Sequence, residues 1–457
     1  MGLQFFPRGG SAHVAANLAR ALPAVGWTAR IVSGSVSLPG RPGDARAFYR
    51  GLDVCPVDMT GALSAPDPLL ATPPLHPSYE DRPGAPDRWF ASIDDRTYRH
   101  QVHFWMRALG AAGAGCADVL HLHHLTPLHA AAARIAPGVP IVGHLHGTEL
   151  LMLEQLLEGG HGAGLPHARA WIERLRRWAA ACARVIVLSA SQVERVERLL
   201  GVDGERCVHV PNGFDPEVFH PRQVDRAGFW HHHLVEAPQG WAPGEEAGSV
   251  RYDAGEVAPL AGDGPVLLYV GRFTAVKRIG LLIEAYARAR PGFARRAPLV
   301  LVGGFPGEWE GEHPLETIRR TGAEDVFLAG WHGHEALPEF LAAADVVVLP
   351  SVREQFGQVL VEGMACGRPV IAVDRHGPAE VVDHGRTGWL VQPDDPAGLA
   401  NALVEAVNRP AERRRRGAEA REDALARFAW PALAAEVAEV YAQAAGEVAD
   451  GQALART

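Results

Sequence analysis

The feature that most constrains this chain is a nearly unbroken alternation of short apolar runs with helix-periodic stretches. Runs of four or five residues that are apolar throughout suit strands buried on both faces. Such strands belong to parallel sheets whose crossovers are helices. In the first half strands are expected at residues 29–32, 119–121, 141–144 and 184–188. The second half repeats the pattern at 266–270, 299–302, 326–328, 346–349, 370–373 and 389–391. A helix is expected over 12–22, after Gly9-Gly10, with Ser11 as its N-cap. Only residues 3–6 precede that turn, so either the first strand is abbreviated or the true start lies upstream of Met1.

At 457 residues the chain is long for one domain and suits two of roughly 200 residues each. The expected fold class is α/β, with two doubly wound domains. The first is expected over 1–215 and the second over 264–429, with 216–263 as a linker or insertion. Within that last stretch, 221–264 is aperiodic and rich in Gly, Pro and Glu. Residues 63–89, rich in proline and aspartate, read as a long loop. A strong helix is expected over 430–444, followed by a frayed tail after Glu447.

Several function classes recede at this stage. No apolar run approaches the ~20 residues of a membrane span, and the N-terminus lacks the pattern of a secretory signal. The five cysteines (Cys55, Cys116, Cys182, Cys207 and Cys366) are scattered, never at metal-ligand spacing, and suit a reducing cytosol. A net charge of −9 with interspersed signs argues against nucleic acid as a partner. Of the 44 basic residues, all but Lys277 are arginine. A position that keeps a lysine against that drift is a candidate for one needing a compact ammonium rather than a planar guanidinium.

Two stretches carry chemistry. Residues 350–367, PSVREQFGQVLVEGMACG, lie between two apolar strands and read as strand–loop–helix. Gly357 at the helix start lets a ligand approach the free amides of Gly357, Gln358 and Val359. Glu362, about one turn in, suits vicinal hydroxyls such as a ribose diol. Glu354 falls at the carboxyl end of its strand, where such sheets bind ligands. The second stretch, 269–278, is a strand ending in Gly271 that runs into a basic loop. There Arg272 can grip phosphate bidentately and Lys277 adds a movable point charge.

At this point the chain resembles the family-four retaining glycosyltransferases. The resemblance rests on the two glutamates around Phe356-Gly357, on Gly271-Arg272 with Lys277, on Pro211-Asn212-Gly213-Phe214-Asp215, on Gly9-Gly10 and on His146-Gly147-Thr148-Glu149. It runs from Gly9 to about Ala444. It implies a GT-B fold, two Rossmann-like domains facing each other across a cleft, with the last helix returning to the first. It also implies that Arg272 and Lys277 bind the donor diphosphate, Glu362 the ribose and Glu354 the sugar hydroxyls, with Glu354 and His146 as the catalytic pair. Phe356, Gly357, Gln358, Val359, Gly10, His124, Thr126 and Asn212 complete the expected substrate-binding set. The donor is expected to be a UDP-sugar ahead of a GDP-sugar, and the acceptor a small molecule or glycan. No cofactor and no metal are expected. Arg278 departs from the family, which carries Gly after the lysine.

Other readings stand beside these. His121, His123 and His124 suggest a metal site, but strand periodicity puts the first two on one face and His124 on the other, so they are expected not to converge. His231, His232 and His233 read as solvated, and the run Arg413–Arg416 as an exposed helix face. A phosphorylase or nucleotide-sugar epimerase could use the same scaffold, as could a non-catalytic nucleotide-sugar-binding homologue. Nicotinamide chemistry lacks its G-x-G-x-x-G after a first strand.

Overall fold

The computed structural model describes all residues except 8, 39–42, 82–84, 159–163 and 455–457. The chain divides into two compact units. One comprises Met1–Asn212 with Trp430–Thr457, the other Gly213–Ala429.

The first unit is built on seven parallel strands: β1 (Gly2–Leu3), β2 (Arg30–Ser35), β3 (Asp53–Asp58), β4 (Leu120–His123), β5 (Ile141–His144), β6 (Arg184–Val187) and β7 (Cys207–His209). Their order is β3-β2-β1-β4-β5-β6-β7. The second holds six: β8 (Leu267–Val270), β9 (Leu299–Val302), β10 (Val326–Gly330), β11 (Val346–Leu349), β12 (Val370–Val373) and β13 (Gly388–Val391). Their order is β10-β9-β8-β11-β12-β13. Both sheets reverse their winding direction once, between β1 and β4 and between β8 and β11. At such a switch point the crossovers leave in opposite directions and open a crevice at the carboxyl ends of the two strands.

The central strands of the second sheet are buried along their whole length, as their unbroken apolar sequences require. Helices Gly10–Ala21 and Trp430–Leu454 cover one face of the first sheet. There Val14, Leu18 and Leu22 meet Val142, Ile186, Leu433, Val437 and Tyr441. The terminal helix is continuous to Leu454, past the point where fraying is expected. No helix among the described residues is long and apolar enough to cross a membrane.

The first strand is abbreviated: β1 is only two residues long, pairing with β2 and β4 on either side. Two local expectations are corrected. The first helix is capped by Gly9 and not by Ser11, which lies inside it. The aperiodic stretch 221–264 is folded within the second unit. It carries the helix Arg226–His231 and buries Trp230, Leu234 and Trp241. Trp241 Nε1 donates to the Gly304 carbonyl at 2.9 Å, and the Leu328 amide donates to Tyr252 Oη at 2.9 Å. Large aromatics spaced irregularly give no period, yet they tie this segment to the β9–β10 side of the sheet.

Candidate active site

In the second unit the switch point brings together the two loops singled out in the sequence. The loop after β8 turns through Gly271 and Arg272 to Lys277. The loop after β11 runs through Glu354 to Gly357. Val352 donates its amide to the Val276 carbonyl at 3.0 Å, which fixes one loop on the other. Lys277 Nζ is bonded to Glu354 Oε2, and both side chains are about one-fifth exposed, at 19% and 20%. Burial opposes the charge on Glu354. Lys277, Arg272 and the Gly357 amide outweigh it and hold the carboxyl below its ordinary range.

Gly357 adopts φ 98°, a left-handed conformation, and caps the helix Gln358–Ala365. The turn therefore favours glycine, and a Cβ there would also press on Leu360 Cδ1 at 2.9 Å. The helix therefore presents free amides and its positive end beside Glu354. Glu362, one turn in, is buried at 2% exposure and bonded through Oε1 to His334 Nε2 at 2.7 Å. Burial works against the charged form of His334, but Glu362 and Glu335 prevail and hold its pKa above the ordinary value.

Arg278 stands in the left-handed region, φ 54° and ψ 39°, the conformation a glycine would adopt there. Its guanidinium donates to Asp394 Oδ1 at 2.6 Å, which anchors the turn from outside. Two candidates offer less side chain than expected. The Phe356 ring is buried against Phe428, with centroids 5.8 Å apart, and Gln358 Nε2 donates to the Gly213 carbonyl at 2.9 Å.

In the first unit Gly10 opens its helix with nothing within 4 Å of where a Cβ would stand. His124, at φ 61°, and His146 follow the ends of β4 and β5, with ring centroids 4.5 Å apart. His124 Nδ1 lies 2.8 Å from the buried Glu149 Oε1. His146 Nε2 lies 3.0 Å from His123 Nδ1, and burial first, then neighbouring imidazoles, keep it neutral well below the ordinary histidine range. Thr126 is buried with an unpartnered hydroxyl, and Asn212 is buried with an unpartnered Oδ1.

His124 does not join His121 and His123, as expected, but a histidine from the next strand does. His121 and His123 do share a face, but β5 adds His144 to it, with one nitrogen of each of the three within 4.8 Å of the others. Strand register, which no single strand's sequence states, brings the third member. His334 and Glu149 were likewise not singled out as site residues. The glycines of the Val302-Gly303-Gly304 turn were visible as a dipeptide. A Cβ on Gly303 would stand 2.1 Å from the Gly271 carbonyl oxygen, so that pair sets how closely the β8 and β9 loops pack.

Two doubly wound parallel sheets in one chain, each with a loop-and-helix crevice at its switch point, are the architecture of the GT-B glycosyltransferases. Residues 8–218 match the family model for glycosyltransferase family 4, and residues 254–423 that for glycosyl transferases group 1. The D-inositol 3-phosphate glycosyltransferase of Stackebrandtia nassauensis is 31% identical over 350 residues, covering 74% of this chain and 71% of that one. The alpha-maltose-1-phosphate synthase of Mycolicibacterium smegmatis is 32% identical over 345 residues, covering 72% and 79%. Among solved structures, Anabaena HepE in complex with UDP and glucose superposes with a TM-score of 0.65 at 19% identity, covering 96% of this chain and 98% of that one. The chain belongs to the family-4, group 1 glycosyltransferases.

Proposed function

We propose that the protein is a retaining glycosyltransferase that takes a sugar from a nucleoside-diphosphate donor, UDP ahead of GDP. The observation that carries this reading is the pairing of Lys277 with Glu354 beside the Gly357 helix cap. A mobile ammonium, a guanidinium at Arg272 and free helix amides suit a diphosphate that gains charge as the glycosidic bond breaks. Glu362, held by His334 through one oxygen, has its second oxygen for a ribose diol.

When the diphosphate engages Lys277, it takes over the ammonium that Glu354 holds. Glu354 then accepts hydrogen bonds from the sugar hydroxyls. The acceptor oxygen attacks the anomeric carbon from the face the diphosphate leaves, and a departing phosphate oxygen receives its proton. His146, kept neutral by burial, can accept or donate a hydrogen bond to the sugar without adding charge. The charge on the leaving group is met by Arg272, Lys277 and backbone, so transfer proceeds without a divalent ion at this site.

Two relatives bear names that speak of phosphorylated sugars or polyols, which makes phosphorylated hydroxyl compounds the acceptors to try first. The test is release of nucleoside diphosphate from UDP- and GDP-sugars across that acceptor panel, in chelator, with the anomeric configuration of the product read by proton NMR. Inverted product, no release from any donor, or an absolute need for added Mg²⁺ would each overturn the corresponding part of the reading.

A further inference from the structure

A second cluster of chemistry-bearing groups lies inside the first unit, on one face of its sheet. The parallel register of β4 and β5 sets His121 against Val142 and His123 against His144. Period-two alternation then carries His121, His123 and His144 to the same face. His121 and His123 stack with centroids 4.5 Å apart, and His144 stacks on His146 at 4.5 Å. Between the stacks, His121 Nε2 lies 3.1 Å from His144 Nδ1. All four imidazoles are buried.

This arrangement leaves bonding capacity unused. His123 Nε2 and His144 Nε2 are both buried with no hydrogen-bond partner. A buried polar atom without a partner is costly, and apolar side chains would fill the same face without that cost. Of His121, His123 and His144, two have the other nitrogen held: His121 Nδ1 lies 2.5 Å from Tyr441 Oη, and His123 Nδ1 lies 3.0 Å from His146 Nε2. Among the described residues the His144 ring bonds only to His121. A metal-binding histidine is ordinarily fixed in this way, one ring nitrogen on an outer partner and the other on the ion.

We infer that His121, His123 and His144 form a binding site for a borderline-soft transition-metal ion of the Zn²⁺ class. Three neutral imidazoles with no carboxylate among them suit Zn²⁺, Co²⁺ or Cu²⁺ and not Mg²⁺ or Ca²⁺. Zn–N bonds of about 2.0–2.1 Å place two tetrahedral nitrogens about 3.3 Å apart. Here one nitrogen of each ring lies within 4.8 Å of the others. The rings stack at interplanar angles of 14°, 21° and 25°, so an ion requires them to turn out of the stack and His144 to give up its bond to His121. Glu149, bonded to His124 and within electrostatic reach of His144, offsets part of the ion's charge. The three ligands belong to the first unit and none is assigned to the donor, so the inference does not rest on that reading, although His146, which holds His123, is shared with it.

The test uses the full chain, stripped with chelator and titrated with Co²⁺ alone. One equivalent should give the visible ligand-field bands of a four-coordinate nitrogen site, and Zn²⁺ should displace it and raise the melting temperature. His123→Gln and His144→Gln should each weaken binding at least about tenfold, whereas His232→Gln, at an exposed histidine of the second unit, should not. Retained affinity in folded His123→Gln and His144→Gln, or loss in His232→Gln, would overturn the assignment. Should the buried variants fail to fold, X-ray absorption of the Zn²⁺-loaded wild type decides: about three imidazole nitrogens support the site. Fewer, or no binding at all, refutes it.

Discussion

Lys277, the only lysine in the chain, is bonded to Glu354, which lies 77 residues further on. The two side chains come from loops after β8 and β11, the neighbouring strands where the second sheet reverses direction. An ammonium already held by a carboxylate keeps the carboxylate ionised and in place, and it can be drawn away only by a stronger anion. The pair therefore makes Glu354 responsive to whatever anion Lys277 meets.

Each charge-assisted bond to a diphosphate is worth roughly 1.5–3 kcal/mol, and more where charge develops away from water. Lys277→Ala is expected to lower kcat/KM by about a hundredfold or more, with the fold intact by circular dichroism. Lys277→Arg is also expected to be impaired, because a planar fork cannot follow the phosphate as a point charge does. Residues that act as a unit are not additive. The Lys277→Ala, Glu354→Ala double variant should therefore lose less than the two single losses combined. Wild-type rates in Lys277→Ala, or strict additivity, would remove this account.

Glu362 and His334 make a different prediction, because ribose contacts are alike in ground and transition states. Glu362→Ala should raise the donor KM about tenfold or more with kcat little changed, and Glu354→Ala should instead lower kcat. His334 is held above the ordinary histidine value by Glu362 and Glu335 against the effect of burial. A raised folded pKa contributes stability that is full below the unfolded value of ~6.5 and is lost as pH rises through the folded one. The stability gap between wild type and His334→Gln should thus be widest at acid pH and close toward pH 9. A gap that widened with rising pH would show that His334 does not carry the charge.

The parts legible in the sequence were those whose signal is local. Residues 299–302, 346–349 and 370–373 matched their strands end to end, because fully buried parallel strands are unbroken apolar runs; 141–144 matched as well, although it ends in His144. β3 and β7 carry no such run. One, DVCPVD, is an edge strand bounded by two aspartates and interrupted by Pro56, and the other is a three-residue strand at the opposite edge of the sheet. At the candidate site the loops and their glycines were visible, but partners were not. Lys277 with Glu354, His334 with Glu362 and His144 with His121 are joined by strand order and register, which leave no mark on any single segment. The stretch 221–264 was illegible for a related reason: Trp230, Trp241 and Tyr252 are anchored one at a time and not along a helical or strand face.

Arg278 offers a test of backbone geometry. It holds φ 54° where a glycine would do so without strain, at a cost of about 1 kcal/mol. Its bond to Asp394 is made between side chains 37% and 53% exposed, a setting worth roughly 0–1 kcal/mol. Arg278→Gly relieves the first and loses the second, so stability should change by less than about 1 kcal/mol, with donor binding kept within a few fold. Arg278→Val, β-branched and poorly suited to positive φ, should destabilise the turn and weaken donor binding at least about tenfold. Equal behaviour of the two variants, read by thermal melts and nucleotide titration, would show that this backbone conformation does not set the loop.

His129 gives the last prediction, on stability in acid. It lies in the helix Pro127–Ile135, fully buried, with its ring stacked on Trp178 and neither ring nitrogen hydrogen-bonded. Burial lowers its pKa to about 4, against smaller opposing pulls from the nearby Thr126 backbone and from Glu149. The unfolded chain binds this proton from ~6.5 downward and the folded chain only near its lowered value. The contribution of His129 is therefore full above pH ~6.5 and is lost progressively as pH falls toward 4, up to about 3 kcal/mol. Replacing both unsatisfied nitrogens by an apolar group of similar size should be near neutral at pH 7.5 or slightly stabilising. His129→Leu is accordingly expected to match wild type in urea melts at pH 7.5 and to exceed it increasingly from pH 6 to 4.5. The difference between the two proteins is the quantity to follow, because other buried histidines titrate in both. A difference that stayed constant across that range would mean that the His129 ring takes up its proton in the folded protein as readily as in the unfolded one, contrary to its burial.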